Sequence, residues 1–328
     1  MRNLMLICLF LLLLLFSFGC ADEEAASGHD EEIINVVTTI YPLADLIDQL
    51  GGEKVDVNYL LPAGASPHTY EPTVEEAKLI NQADLFIYIG AELDNWAVKM
   101  SETAGTGLLV ADMSEHIPII ESAAYHKFDD DQEGHDHEHN DYNCENDDCS
   151  SCSHDHGPQD PHYWLDPLIV RDSLSSAIHD QLVELAPENE DYFDQKLEEY
   201  TAELTILHEE IKETVSGFSQ QNFIAFHSAW QYFAERYKLN EVAVVAQFPG
   251  QEPSAGWVAE LVGLIRDKEI GAIFAEPQFS DELAERIAEE SGTEVLVLDP
   301  LGGENVPGRK SYLDLMRYNL SVFEEAMQ

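Results

Sequence analysis

Eight short runs rich in β-branched and aromatic residues, grouped in two sets of four, limit what this chain can fold into. The first set is Ile34–Ile40, Val55–Pro62, Asp84–Gly90 and Gly107–Met113; the second is Asn222–Phe226, Glu241–Phe248, Gly271–Pro277 and Glu294–Pro300. Each run has the length and composition of one strand. Helical periodicity fills gaps between them at Leu43–Leu50, Val74–Ala83, Ala229–Tyr237, Ala255–Lys268 and Asp281–Ser291, and a last helix is expected at Ser311–Ala326. Strand and helix alternating at this spacing predict parallel sheets with crossover helices. Between the two sets, apolar residues recur at helical spacing from Leu168 to Val215. Leu174, Ile178, Leu182 and Leu185 share one face, and Leu197, Leu204 and Leu207 continue beyond Pro187, which divides the segment. The expected fold class is α/β, with two lobes of similar size joined by a long helical segment.

Charge narrows the partners. The 328 residues include 16 basic and 64 acidic side chains, a net charge of -48. A phosphate backbone demands a basic surface, so nucleic acid is excluded as a partner and cations are favoured. At the start, Arg2 precedes an apolar run from Leu4 to Phe16, too short to span a bilayer but suited to a signal peptide. The run ends in "FSFGCADE", which resembles a bacterial lipoprotein cleavage site with Cys20 as the lipidated mature N-terminus. Ser17 departs from the aliphatic residue usual there, and plain secretion is the alternative. The expected domains are a signal peptide (1–19), an acidic tether (20–32), an N-terminal lobe (33–165), a linking helical segment (166–217) and a C-terminal lobe (218–328).

Within the first lobe, residues 128–160 lose all periodicity. They carry no Lys or Arg, and they contain "HDHEHNDYNCENDDCSSCSHDHG". Imidazole and thiolate suit borderline-soft cations. Yet like charges repel and there is little here to bury, so a loose loop is expected rather than a fixed site. His135, His137, His139, His154 and His156 are read as an auxiliary metal-capture set. Cys144, Cys149 and Cys152 are an odd number outside the cytoplasm, enough for one disulfide and one free thiol.

Open α/β sheets bind ligands beyond the carboxyl ends of their strands. Four metal-capable side chains are placed there: His68 in "PAGASPHTYEP", His162 in "DPHYWLDP", His227 in "FHSAWQYF" and Asp299 in "EVLVLDPLGG". Each alone reads as a turn or cap residue. Two from each half of the chain, all at strand ends, point to a metal site between the lobes. His179 and His208 fall in the linking helices and read as surface or packing residues. "HEEIK" (His208–Lys212) lacks the second histidine of a zinc-protease helix, and no phosphate loop or "GxSxG" elbow occurs.

These segments carry a resemblance. "GASPHTYEPT" (Gly64–Thr73), "DPHYWLDP" (Asp160–Pro167), "FHSAWQYFAERY" (Phe226–Tyr237), "QEPSAG" (Gln251–Gly256) and "LDPLG" (Leu298–Gly302) occur in the order found in substrate-binding lipoproteins of bacterial metal ABC importers, the zinc/manganese cluster. The chain resembles that family over about residues 33 to 326. The resemblance implies two pseudo-symmetric lobes on a rigid backbone helix, and metal ligands at His68, His162, His227 and Asp299. It implies Zn2+ as the transported ligand, and an ABC permease with its ATPase as partners. The protein is then no enzyme, but a monomer tethered by lipid at Cys20 to the outer face of the cytoplasmic membrane, or a periplasmic one. Three imidazoles and one carboxylate favour Zn2+ over Mn2+. Manganese-specific relatives look oxygen-rich at the position of His227, which is expected to decide the metal. Two alternatives stay open: a surface zinc-buffering adhesin, and a secreted zinc hydrolase with Glu71 or Glu276 as base.

Overall fold

The computed structural model describes residues 33–122, 159–246 and 253–328. The signal segment, Cys20, the tether, the five loop histidines and Cys144, Cys149 and Cys152 lie outside the described residues, as does the end of the sixth strand-like run.

All eight expected strands are present, in two sheets of four: β1 Ile34–Thr38, β2 Val55–Tyr59, β3 Leu85–Tyr88 and β4 Leu109–Asp112, then β5 Asn222–Ala225, β6 Asn240–Val244, β7 Ala272–Ala275 and β8 Glu294–Val297. Both sheets are parallel throughout. Their orders are β2-β1-β3-β4 and β6-β5-β7-β8, the same pattern twice. The pseudo-symmetry implied by the family resemblance is therefore real. β3 and β7 read as unbroken apolar runs because helices cover both faces of an all-parallel sheet.

The helices are α1 Tyr41–Gly51, α2 Val74–Gln82, α3 Asn95–Ser101, α4 Ser175–Leu185, α5 Glu190–Ser216, α6 Gln231–Tyr237, α7 Ala255–Lys268, α8 Glu282–Ser291 and α9 Tyr312–Met327. α3 was not legible in the sequence, since seven residues give too few turns for a period to show. α4 is entered through a turn at Pro167–Ile169 and a π-type stretch at Val170–Leu174. Pro187 opens a short 3-10 turn between α4 and α5, where its missing N–H and fixed φ cost nothing. α5 runs 27 residues and buries Phe193, Tyr200, Leu204, Leu207, Ile211 and Val215, a stripe at helical spacing.

One hydrophobic core runs from β1 and α1 through α5 to Phe223, Phe233 and Phe323, so the lobes share their apolar interior. Two smaller cores lie on the outer faces, one around Ile224, Ile273 and Ile287, the other around Val37, Leu60 and Phe86. A shared core resists shear between lobes, because close-packed interiors tolerate little sliding.

Candidate metal centre

The segment Asp160–Pro167 shows how sequence fixes a side chain in space. Asp160 Oδ1 accepts the His162 N–H at 2.9 Å and faces the His162 ring Nδ1 at 2.8 Å. Tyr163 donates its hydroxyl to the Ile89 carbonyl at the end of β3, at 2.6 Å. Trp164 donates its indole N–H to the Pro300 carbonyl beyond β8, at 2.8 Å. Asp166 caps the turn that follows, accepting from Leu168 N at 2.9 Å, with Pro167 at the first position. His162 is thus followed directly by two aromatic anchors, Tyr163 bound to the first lobe at Ile89 and Trp164 bound to the second at Pro300. Upstream, Asp160 N donates to Ile120 O at 3.0 Å and Glu121 pairs with Gln159, which ties the start of this segment to the chain after β4.

His68 follows β2 on a loop pinned from below: the Trp96 indole donates to the Pro67 carbonyl at 3.1 Å, and Tyr70 packs edge-on against Trp96. Thr73 and Glu76 then form a capping box that starts α2. His227 follows β5 by two residues. Its Nδ1 lies 2.5 Å from Glu276 Oε1, and Glu276 immediately follows β7. β5 and β7 are the neighbours at which connections leave in opposite directions, the switch point where such sheets bind ligands.

These three elements bring His68, His162 and His227 together. The Nε2 atoms of His68 and His162 are 3.2 Å apart, and those of His227 and His162 are 3.3 Å apart. Among the described residues this is the one group of metal-capable side chains whose ligand atoms all lie within 4.8 Å of one another. Two nitrogens held about 2.05 Å from a tetrahedral zinc ion would be about 3.3 Å apart. With Nδ1–H of His162 and His227 donated to Asp160 and Glu276, their Nε2 lone pairs converge on a common point. Carboxylates in this position also fix the ring orientation. His162 and His227 are buried, His68 half-buried.

Electrostatics suits a cation. Burial pushes the His68 imidazole down to about 2, with the two neighbouring rings adding to the effect. His162 is held well below the ordinary value by burial and by His227. Burial also disfavours the charged form of His227, but the Glu276, Glu241 and Asp160 carboxylates outweigh it and raise its pKa. Burial pushes Asp160 up to about 7, against the His162 N–H and the charge of His227. Two buried acceptors on the cavity wall, Glu276 Oε2 and Gln278 Oε1, have no hydrogen-bond partner among the described residues.

Asp299, the fourth expected ligand, is not brought to the imidazoles. Its Oδ1 accepts from the N–H groups of Leu301 and Gly302, both at 3.0 Å, and from Gln278 at 3.3 Å. Its Oδ2 is paired with Arg309 at 2.8 Å. Asp299 stands two residues beyond β8, as its segment suggests, but Arg309, ten residues on, pairs with its charge, and no local pattern signals that contact. Glu276, expected only as the base of the hydrolase alternative, instead backs His227, and an acid directly after β7 is a legible sign of a group at the switch point. Glu71 is exposed. His179 lies between Asp180 and Asp194, and His208 meets the Tyr237 hydroxyl, so both are satisfied away from the cluster.

Comparison with known proteins gives this geometry a family. Residues 36–326 match the family model described as zinc-uptake complex component A, periplasmic, and the chain belongs to that family. It is 28% identical over 319 residues to the high-affinity zinc uptake system protein ZnuA of Bacillus subtilis, covering 96% of this chain and 94% of that protein. It is 29% identical over 317 residues to the zinc-binding lipoprotein AdcA of Streptococcus pneumoniae, covering 95% of this chain but 58% of AdcA. A ZnuA deletion mutant with zinc bound superposes at a TM-score of 0.74, with 26% identity, over 90% of this chain and 99% of that one. The family is one of metal-binding transport receptors and not of enzymes, which removes the hydrolase alternative.

Proposed function

We propose that this chain, as a zinc-uptake component, captures Zn2+ between its lobes on the Nε2 atoms of His68, His162 and His227 and hands it to an ABC permease. Lipid on Cys20 would hold it at the outer face of the membrane. The observation that carries the reading is the convergence of three imidazole nitrogens from three separate segments, two of them backed by buried carboxylates.

The chemistry is binding and release, with no bond made or broken in the protein. Neutral imidazole is the form that binds metal, and burial keeps His68 and His162 neutral far below physiological pH. Asp160 and Glu276 hold their rings in the tautomer that presents Nε2. An all-nitrogen group with no oxygen donor among its members favours Zn2+ over Mn2+, while Cu2+ and Ni2+ would bind it in vitro. His68 sits on a loop and is the most exposed of the three, which makes it the ligand best placed to join last and leave first.

The test is isothermal titration with Zn2+ of the parent and of His68→Ala, His162→Ala and His227→Ala, all lacking Asp129–Ser153 so that loose loop binding does not mask the tight site. Each substitution is expected to weaken binding by more than about 100-fold, beyond what loss of a supporting partner does. Parental affinity in all three variants would sink the reading.

A further inference from the structure

We propose that Arg309 is a selectivity lock: by holding Asp299 in a buried ion pair it keeps an oxygen donor out of the imidazole group and so disfavours oxygen-preferring cations such as Mn2+. The proposal rests on reading the imidazole trio as the zinc-capture centre.

Asp299 is close to that centre without belonging to it. The next two residues, Pro300 and Leu301, line the same cavity as the three histidines, and so does Gln278, which donates to Asp299 Oδ1. Gln278 therefore touches both the carboxylate and the cavity. The backbone of Asp299 is clamped on both sides by Asn319, which accepts from Asp299 N at 2.8 Å and donates to Asp299 O at 2.7 Å. With the main chain fixed, the orientation of the carboxylate depends on its own partners.

Arg309 is the charged one among them. Only 4% of the Asp299 side chain and 18% of the Arg309 side chain are exposed. The guanidinium is held over the ring of Tyr318, 4.5 Å from its centre, where a cation is attracted to the aromatic face. The loop that delivers it is closed by a hydrogen bond from Gly303 N to Arg309 O at 3.1 Å. Gly302 has φ +63, and a Cβ there would stand 2.8 Å from the Arg309 carbonyl, so the approach requires glycine.

A buried carboxylate stripped of its counterion seeks another cation or gives up its charge. Beside Asp299 that cation would be the ion held by the histidines. A fourth, anionic oxygen ligand would harden the site, and manganese would gain more from it than zinc, which three imidazoles already satisfy.

The experiment measures the ratio of Zn2+ to Mn2+ affinity by competition titration on the full chain. Arg309→Met is expected to move the ratio toward Mn2+ by about 10- to 100-fold, the range seen when a partner that tunes a metal ligand is lost. Arg309→Lys, which keeps the charge, should stay near the parent, and adding Asp299→Asn to Arg309→Met should restore the parental ratio. A folded Arg309→Met protein with an unmoved ratio overturns the proposal, as does a double variant that keeps the altered ratio. Should Arg309→Met fail to fold, Asp299→Asn alone decides. It is expected to retain zinc binding and the visible absorption of the Co2+-loaded parent, and a loss as deep as that of His162→Ala would make Asp299 a ligand and end the idea. The zinc-capture reading fails separately, through indifference of the three histidine variants.

Discussion

The two lobes share one strand order, yet their switch points are finished differently. In the first lobe the chain leaving β1 offers Thr39 and the chain leaving β3 offers Asp94; in the second, β5 leads to His227 and β7 to Glu276. Both points therefore hold a buried carboxylate facing a side chain from the neighbouring strand. Asp94 Oδ2 accepts from Thr39 Oγ1 at 2.6 Å and Ile89 N at 2.8 Å, and Oδ1 from Gly90 N at 3.0 Å. Every oxygen is used. Glu276 spends one oxygen on His227 and leaves the other without a partner among the described residues. A closed polar network stabilises, whereas an open one at the same place in the fold can receive a ligand.

This contrast can be broken most forcefully at Asp94. Asp94→Ala would leave three buried donors without an acceptor, and at least about 3 kcal/mol of stability should be lost, from the usual cost of about 1–3 kcal/mol per unsatisfied group. Zinc affinity of the folded fraction should not change. Urea unfolding and zinc titration in parallel would show it, and a collapse of zinc affinity in folded protein would mean that the two switch points act as one. Glu276→Gln is the smaller, complementary case. It keeps the shape but removes the charge behind His227, so zinc affinity should fall by about 10- to 100-fold with little change in unfolding midpoint. If stability fell and affinity did not, Glu276 would be structural like Asp94.

The smallest effect sharpens the comparison through pH. His68 titrates near 6.5 when unfolded but only at about 2 when folded, because burial disfavours its charged form. Between those values the unfolded chain binds the extra proton, so the contribution of neutral His68 is complete above about 6.5 and lost as pH falls. Metal-free parent should therefore lose up to about 2 kcal/mol between pH 6.5 and 5 relative to His68→Gln. The first-lobe carboxylate works the other way: burial raises Asp94 to about 6, so its penalty is relieved as acid protonates the folded form. Unfolding curves of both proteins at pH 7 and pH 5 give the difference. Parallel pH dependence would show that His68 is solvated in the metal-free protein.

Much of the architecture was readable in order along the chain. Alternating strand and helix patterns encode their own period, and a parallel sheet needs a crossover between strands, so eight apolar runs in two sets of four imply two lobes. The linking helix announced itself by spacing and by Pro187. The locations of His68 and His227 were equally legible, because strand ends are local features and the switch-point rule turns a local feature into a place. His162 follows no strand among the described residues and opens a 3-10 turn at Tyr163–Leu165, so its place is set by the Tyr163 and Trp164 anchors instead. What local pattern could not supply was orientation. Whether a side chain points at a metal or at a neighbour depends on contacts between residues far apart in sequence, and only packing decides those. Trp164 reaching Pro300 sets His162 between the lobes, and Glu276 turns His227. Asp299 shows the same limit from the other side. Its identity and position suit a ligand, and the folded chain instead gives its charge to Arg309, because burying a carboxylate beside an arginine leaves neither charge unpaired. The sequence by itself determined the lobes, the link and the neighbourhood of the centre; tertiary structure decided which side chains in that neighbourhood face one another.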